Sequence, residues 1–171
     1  MPVVQRRAGG SSRRLTNMGP IYGPRTMVAL AASLAPYLGK GDVVVLNGEL
    51  GTGKTTFARG LINALAGPDE VPSPTFTLVQ VYEAPRAPLW HFDLYRISAP
   101  EDAYELGIEE ALAEGICLIE WPDRLGKLLP RDRLEVQLVF DSEPDVRQVR
   151  LIGHGSWAVR LPVITEALEF G

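Results

Sequence analysis

The chain is poor in the features that mark several classes of protein. It has one cysteine, Cys117, in 171 residues, which excludes an intrachain disulfide and a cysteine-rich metal site. Cys117 lies within the apolar run 116–119 and reads as a small buried hydrophobe rather than a reactive thiol. No apolar run is long enough to span a bilayer, and no apolar core of a secretory leader follows the N-terminus. The expectation is a cytoplasmic protein with no membrane association. Positive charge is not in excess: 17 Lys and Arg stand against 21 Asp and Glu, a net charge of −4. A broad, unspecific nucleic-acid surface is therefore not expected, although a local basic patch is compatible with these numbers. The 2 histidines, His91 and His154, have no companions at zinc spacing. What remains, 46% hydrophobic and 22% charged, suits a globular chain with a real core.

Residues 1–20 differ from the rest. Arg6, Arg7, Arg13 and Arg14 are mixed with Gly9, Gly10, Ser11 and Ser12, which predicts a disordered basic tail ahead of one domain over 21–171. Met27, Leu30, Ala31, Leu34 and Leu38 recur at helical spacing over 25–38. A β-branched run at 42–46 predicts a buried strand, and 54–65 reads as a helix ended by Gly67 and Pro68. Partly alternating segments at 77–82 and 89–93 predict a hairpin, and 134–140 with 148–152 a second strand pair. A helix begins at 100, is interrupted at Gly107 and continues to 114, followed by a buried strand at 116–120. Over 156–170 two readings stay open: Ser156 suits a helix cap, while Val159, Leu161 and Val163 alternate around Pro162. This order predicts an α/β layer fold with a mixed parallel and antiparallel sheet.

Between the strand at 42–46 and the helix at 54–65 lies Gly48-Glu49-Leu50-Gly51-Thr52-Gly53-Lys54-Thr55, a glycine-rich loop ending in Lys-Thr. Glycines let successive backbone N–H groups turn inward on a polyphosphate, and the next helix adds the positive end of its dipole. Lys54 can reach the β and γ phosphates, and the Thr55 hydroxyl suits Mg2+, a hard ion that prefers oxygen. A nucleotide site also needs an acidic ligand at a strand end; Asp93 and Glu120 each close an apolar strand. Ser73, Thr75 and Thr77, stiffened by Pro72 and Pro74, form either a switch segment or a plain connection into a strand. Trp121 stacks on a base or a partner, or covers the sheet edge.

The segments "GDVVVLNGELGTGKTTFARGL", "SPTFTLVQVYE", "HFDLYRI", "ELGIEEAL" and "ICLIEWPDRLGKLLP" resemble, in the same order, the TsaE family of small bacterial ATPases of tRNA threonylcarbamoyladenosine biosynthesis. The resemblance covers about 26–151. It implies a P-loop NTPase-like three-layer fold with a mixed central sheet, ATP and Mg2+ as cofactors, and TsaD and TsaB as partners, with tRNA contacted indirectly through their complex. By motif position it implies that Lys54 holds phosphates, with Thr56 beside them at the helix start. Thr55 and Asp93 would hold the metal, Asp93 directly or through water. Thr75 would belong to a switch-like loop, Glu120 would position or activate water, and Trp121 would form nucleotide or partner surface. The alternative is a small-molecule kinase, with Asp93 as base and Arg96 and Arg124 on phosphates. A regulatory GTPase is disfavoured because the chain has no Asn-Lys pair of the guanine-selecting segment.

Overall fold

The computed structural model describes residues 3–6, 12–67 and 77–169. Its elements are β1 (Val3–Arg6), β2 (Ser12–Tyr22), α1 (Gly23–Leu34), β3 (Val43–Asn47), α2 (Lys54–Ala66), β4 (Val79–Tyr82), β5 (Leu89–Asp93), α3 (Asp102–Glu105), α4 (Ile108–Glu114), β6 (Ile116–Glu120), β7 (Arg133–Phe140), β8 (Val146–His154) and α5 (Trp157–Glu169). Runs that are apolar on both faces must be covered on both faces, and β3, β5 and β6 meet that demand at the centre. The described strands form one sheet in the order β1-β2-β8-β7-β3-β6-β5-β4. Pairing is parallel for β7-β3, β3-β6 and β6-β5 and antiparallel on both flanks. The expected hairpins are β4–β5 and β7–β8, and the sheet is mixed as the turn signals implied.

Alternation along β3 divides the core. Val44 and Leu46 face α1, α2 and α5, where they meet Met27, Leu34, Phe57 and Leu61. Val43 and Val45 face the other side, with Phe92, Ile119, Ile108 and Leu125. The result is three layers: helices, sheet, and a second cover made of α3, α4 and the 3-10 segment Pro122–Leu128.

Two expectations need correction. The disordered tail expected over 1–20 does not hold for 3–6, where β1 pairs with β2, or for 12–20. There β2 pairs with β8 from Arg13 opposite His154 to Tyr22 opposite Val146, with a bulge between Asn17 and Gly19. Composition suggested disorder, but Thr16 and Ile21 are buried and Met18 packs on the core. The open edge of β8 supplies the ladder partner that this run could not find locally. The first helix also stops at Leu34 rather than Leu38; a 3-10 turn, Ala35–Tyr37, follows, as Pro36 has no N–H to continue the α ladder.

The open reading at 156–170 resolves as α5, despite Pro162 within it. Tertiary contacts outweigh the strand-like alternation. Trp157 is 1% exposed in the core. The Arg160 guanidinium lies 3.7 Å from the Trp157 ring centroid, and its Nη1 and Nη2 donate to Asp42 Oδ1 and Oδ2 at 2.6 and 3.2 Å. A further bond, 2.8 Å, runs to Tyr37 O. Trp157→Ala should therefore cost roughly 3–5 kcal/mol, measured as a lower urea midpoint with unchanged slope.

Candidate functional site

The loop after β3 is shaped by its glycines. Gly53, which precedes α2, has φ 106°, a left-handed conformation that side chains resist. At Gly48 a Cβ would lie 2.5 Å from Thr52 Oγ1 and 2.7 Å from Leu138 O, so no larger residue fits. The Thr52 hydroxyl donates to Glu49 O at 2.8 Å and closes the turn. Phe57 N is already bonded to Gly53 O at 2.9 Å, whereas N–H groups nearer the start of a helix lack intrahelical acceptors. Those groups, with the helix dipole, make this end of α2 an anion-attracting surface.

Lys54 is 5% exposed. Its Nζ donates to Gly48 O and sits 3.6 Å from the Trp121 ring centroid. Burial pulls its pKa below the ordinary lysine value, while Glu120, Asp93 and Asp123 oppose that pull. Trp121 is held at φ 58°, an unusual backbone for a bulky residue, and its ring packs on Tyr95 with centroids 4.9 Å apart.

Asp93 and Glu120 end neighbouring parallel strands and are register partners. They are 7% and 4% exposed. Asp93 Oδ1 accepts from Tyr95 N at 3.1 Å; Glu120 Oε2 is 2.8 Å from His91 Nε2. Lys54, Thr55, Thr56, Asp93, Glu120 and Trp121 all line one cavity of about 400 Å3, which Leu50, Gly51, Gly53, Tyr95 and Arg96 complete. Thr52 and Glu49 shape adjoining hollows instead. Thr75, with the rest of the switch-like segment through residue 76, lies outside the described residues. Among the described residues no three His, Cys, Asp or Glu side chains form a metal site by themselves. The donors that fit a cation here are the Thr55 hydroxyl and a strand-end carboxylate, a set suited to Mg2+ that shares its shell with phosphates.

A second cavity, about 470 Å3, shares Gly51, Gly53 and Thr56 with the first. Its other walls include Ile21 and Met27 on one side and Pro144, Asp145 and Arg147 on the other. The β7–β8 turn is tied to the loop by Arg147 Nη2, 3.3 Å from Gly51 O. It is tied to α1 by Gly23 N, 3.1 Å from Asp145 O. Sequence reasoning missed these residues. They belong to no local pattern; only tertiary folding carries the turn to the loop.

Behind the loop, Glu135 anchors Asn47, the last residue of β3. Asn47 Nδ2 and Gln137 Nε2 donate to Glu135 Oε2 at 3.0 and 2.8 Å, and His154 Nε2 lies 2.8 Å from Oε1. Burial pushes the Glu135 pKa up, but the bonds from His154, Gln137 and Asn47 prevail and hold it near 2, against an ordinary 4.5. A depressed carboxylate pKa stabilises the fold above the unfolded value, and this stabilisation is lost as pH falls through the folded value. Glu135 thus contributes roughly 3 kcal/mol above its ordinary pKa. Between about pH 5 and pH 2, urea unfolding should show wild type losing roughly that much more stability than Glu135→Gln.

A central strand feeding a glycine loop and a helix, with carboxylates ending the strands beside it, defines an α/β protein of the P-loop class. A crystal structure of YdiB from Bacillus subtilis matches at a TM-score of 0.73 and 28% identity, over 95% of this chain and 97% of that one. Residues 22–149 match the family model for the threonylcarbamoyl adenosine biosynthesis protein TsaE, so the chain belongs to the TsaE family. It is 34% identical over 134 residues to the tRNA threonylcarbamoyladenosine biosynthesis protein TsaE of Bacillus subtilis, covering 78% of this chain and 83% of that protein. The protein of that name from Rickettsia bellii is 46% identical over 111 residues, 64% of this chain and 74% of the relative. No described helix is long and apolar enough to cross a membrane.

Proposed function

We propose that the protein binds ATP with Mg2+ across the two joined cavities and hydrolyses it, weakly alone, as the accessory ATPase of a cytoplasmic tRNA-modifying assembly with TsaD and TsaB. The observation that carries this reading is the convergence of Lys54, Asp93 and Glu120 on the mouth of one glycine loop. The loop N–H groups and the start of α2 hold the phosphates, and Lys54 exchanges its carbonyl and ring contacts for phosphate oxygens. Thr55 and Asp93 hold the metal, directly or through water. When bound, Mg2+ supplies charge neutralisation on the phosphates. Glu120 orients a water and accepts its hydrogen bond, and Trp121 covers the phosphate end. tRNA is met indirectly, through the complex.

The proximity of Trp121 to Lys54 Nζ argues against a base stacking there, because Lys54 serves the terminal phosphates. The base belongs at the other end, in the cavity between Met27 and the β7–β8 turn. A cavity of about 470 Å3 suits a nucleoside.

Calorimetry and phosphate release in the presence of TsaD and TsaB test this reading. Lys54→Ala should abolish ATP binding. Asp93→Ala and Glu120→Ala should lower phosphate release on the order of a hundredfold and ATP affinity far less. Normal hydrolysis by both acid variants would overturn these assignments; stoichiometric transfer of phosphate to a metabolite would establish a kinase instead. Met27→Trp fills the second cavity. It should weaken ATP at least about tenfold and leave inorganic triphosphate binding unchanged; equal loss of both ligands would move the base elsewhere.

A further inference from the structure

We infer that His91 is a positioning residue, whose imidazole fixes the rotamer of Glu120 at the mouth of the loop. The catalytic meaning of this rests on the ATPase reading above; the pairing itself does not. His91 lies opposite Leu118 in the parallel β5–β6 ladder, and Glu120 is two positions further along. The two side chains therefore meet diagonally on the sheet face that also carries Leu118 and Asp93. Nε2 and Oε2 are 2.8 Å apart, with the side chains of His91 and Glu120 2% and 5% exposed.

A carboxylate only accepts, so Nε2–H donates, and this assigns the tautomer. The bond occupies Oε2 and leaves Oε1 to serve the cavity that Glu120 lines. A glutamate at a strand end otherwise has several rotamers, and each would aim its oxygens differently. The imidazole is not explained as core packing. Its Nδ1 is buried with no hydrogen-bond partner, a liability that an apolar residue, like Leu89 and Phe92 of the same strand, would not carry. A buried polar bond kept at that cost is better explained by direction than by stability.

Three variants and one spectrum test the inference. With TsaD and TsaB present, His91→Leu should lower kcat for phosphate release about ten- to a hundredfold with KM within about twofold. His91→Gln places an amide N–H near the position of Nε2 and should restore most of the rate. In a Glu120→Ala background His91→Leu should add no further loss, because the group it positions is gone. An unimpaired His91→Leu, a His91→Gln as slow as His91→Leu, or the full loss repeated in the Glu120→Ala background would each overturn the inference. Independently of turnover, NMR of nucleotide-free protein labelled with 15N-histidine should show a slowly exchanging His91 Nε2–H that disappears in Glu120→Ala. Its presence supports the positioning and its absence overturns it, whether or not the protein hydrolyses ATP. A wild type with this signal and no hydrolysis would defeat the ATPase reading alone.

Discussion

The parallel register of β3, β6 and β5 is the constraint on which the rest depends. Leu46 lies opposite Glu120, and Glu120 opposite Asp93. Three strands running the same way must end at the same edge of the sheet, and their last residues become neighbours without any contact in sequence. The loop that leaves β3 therefore starts beside two carboxylates. An antiparallel pairing of either neighbour would send its terminal acid to the opposite edge. The apolar runs that make these strands buried on both faces thus do two things: they close the core and they aim the acids.

A histidine paired with a glutamate lies on each side of β3 in the sheet. On one flank His91 meets Glu120; on the other His154 meets Glu135. The pairs serve different ends. Glu120 lines the cavity, and its histidine restrains a group that faces ligand. Glu135 faces Asn47 and Gln137, so its charge is spent on holding the strand that carries the loop. The depressed pKa of Glu135 is the mark of a satisfied structural acid, which a motif search could not separate from a catalytic one.

What was legible in the sequence was local. The glycine loop needs only its own residues, a strand before it and a helix after it, and all are contiguous from Val43 to Ala66. Asp93 and Glu120 were legible because a strand-end acid after an apolar run is also a contiguous signal. Arg147, Asp145 and Met27 were not: they reach the loop only through the β7–β8 hairpin and the packing of α1. The tail was misread for the same reason. Arginine, serine and glycine suggest a solvated chain, and nothing local reveals that β8 has an unfilled edge for 12–22. His91 shows no companion at zinc spacing, and its glutamate partner is 29 residues away, a distance over which only strand register carries information.

Lys54 ties these strands of argument together. It is a buried cation whose neutral partners are a carbonyl and an aromatic face, and whose charged neighbours are the two acids that the register delivers, with Asp123 of the 3-10 segment beside them. Desolvation favours loss of its proton; Glu120, Asp93 and Asp123 favour keeping it. An anion reaching this lysine offsets the desolvation of its charge by direct attraction, and meets N–H groups at the start of α2 that lack intrahelical acceptors. The acids, in contrast, repel an anion that arrives alone. On the reading proposed above, a polyphosphate that brings a cation would suit such a site better than one that comes alone, since the cation would satisfy the carboxylates while the phosphates satisfy Lys54 and the loop. That pairing of a buried cation with strand-end carboxylates is a consequence of where parallel strands end.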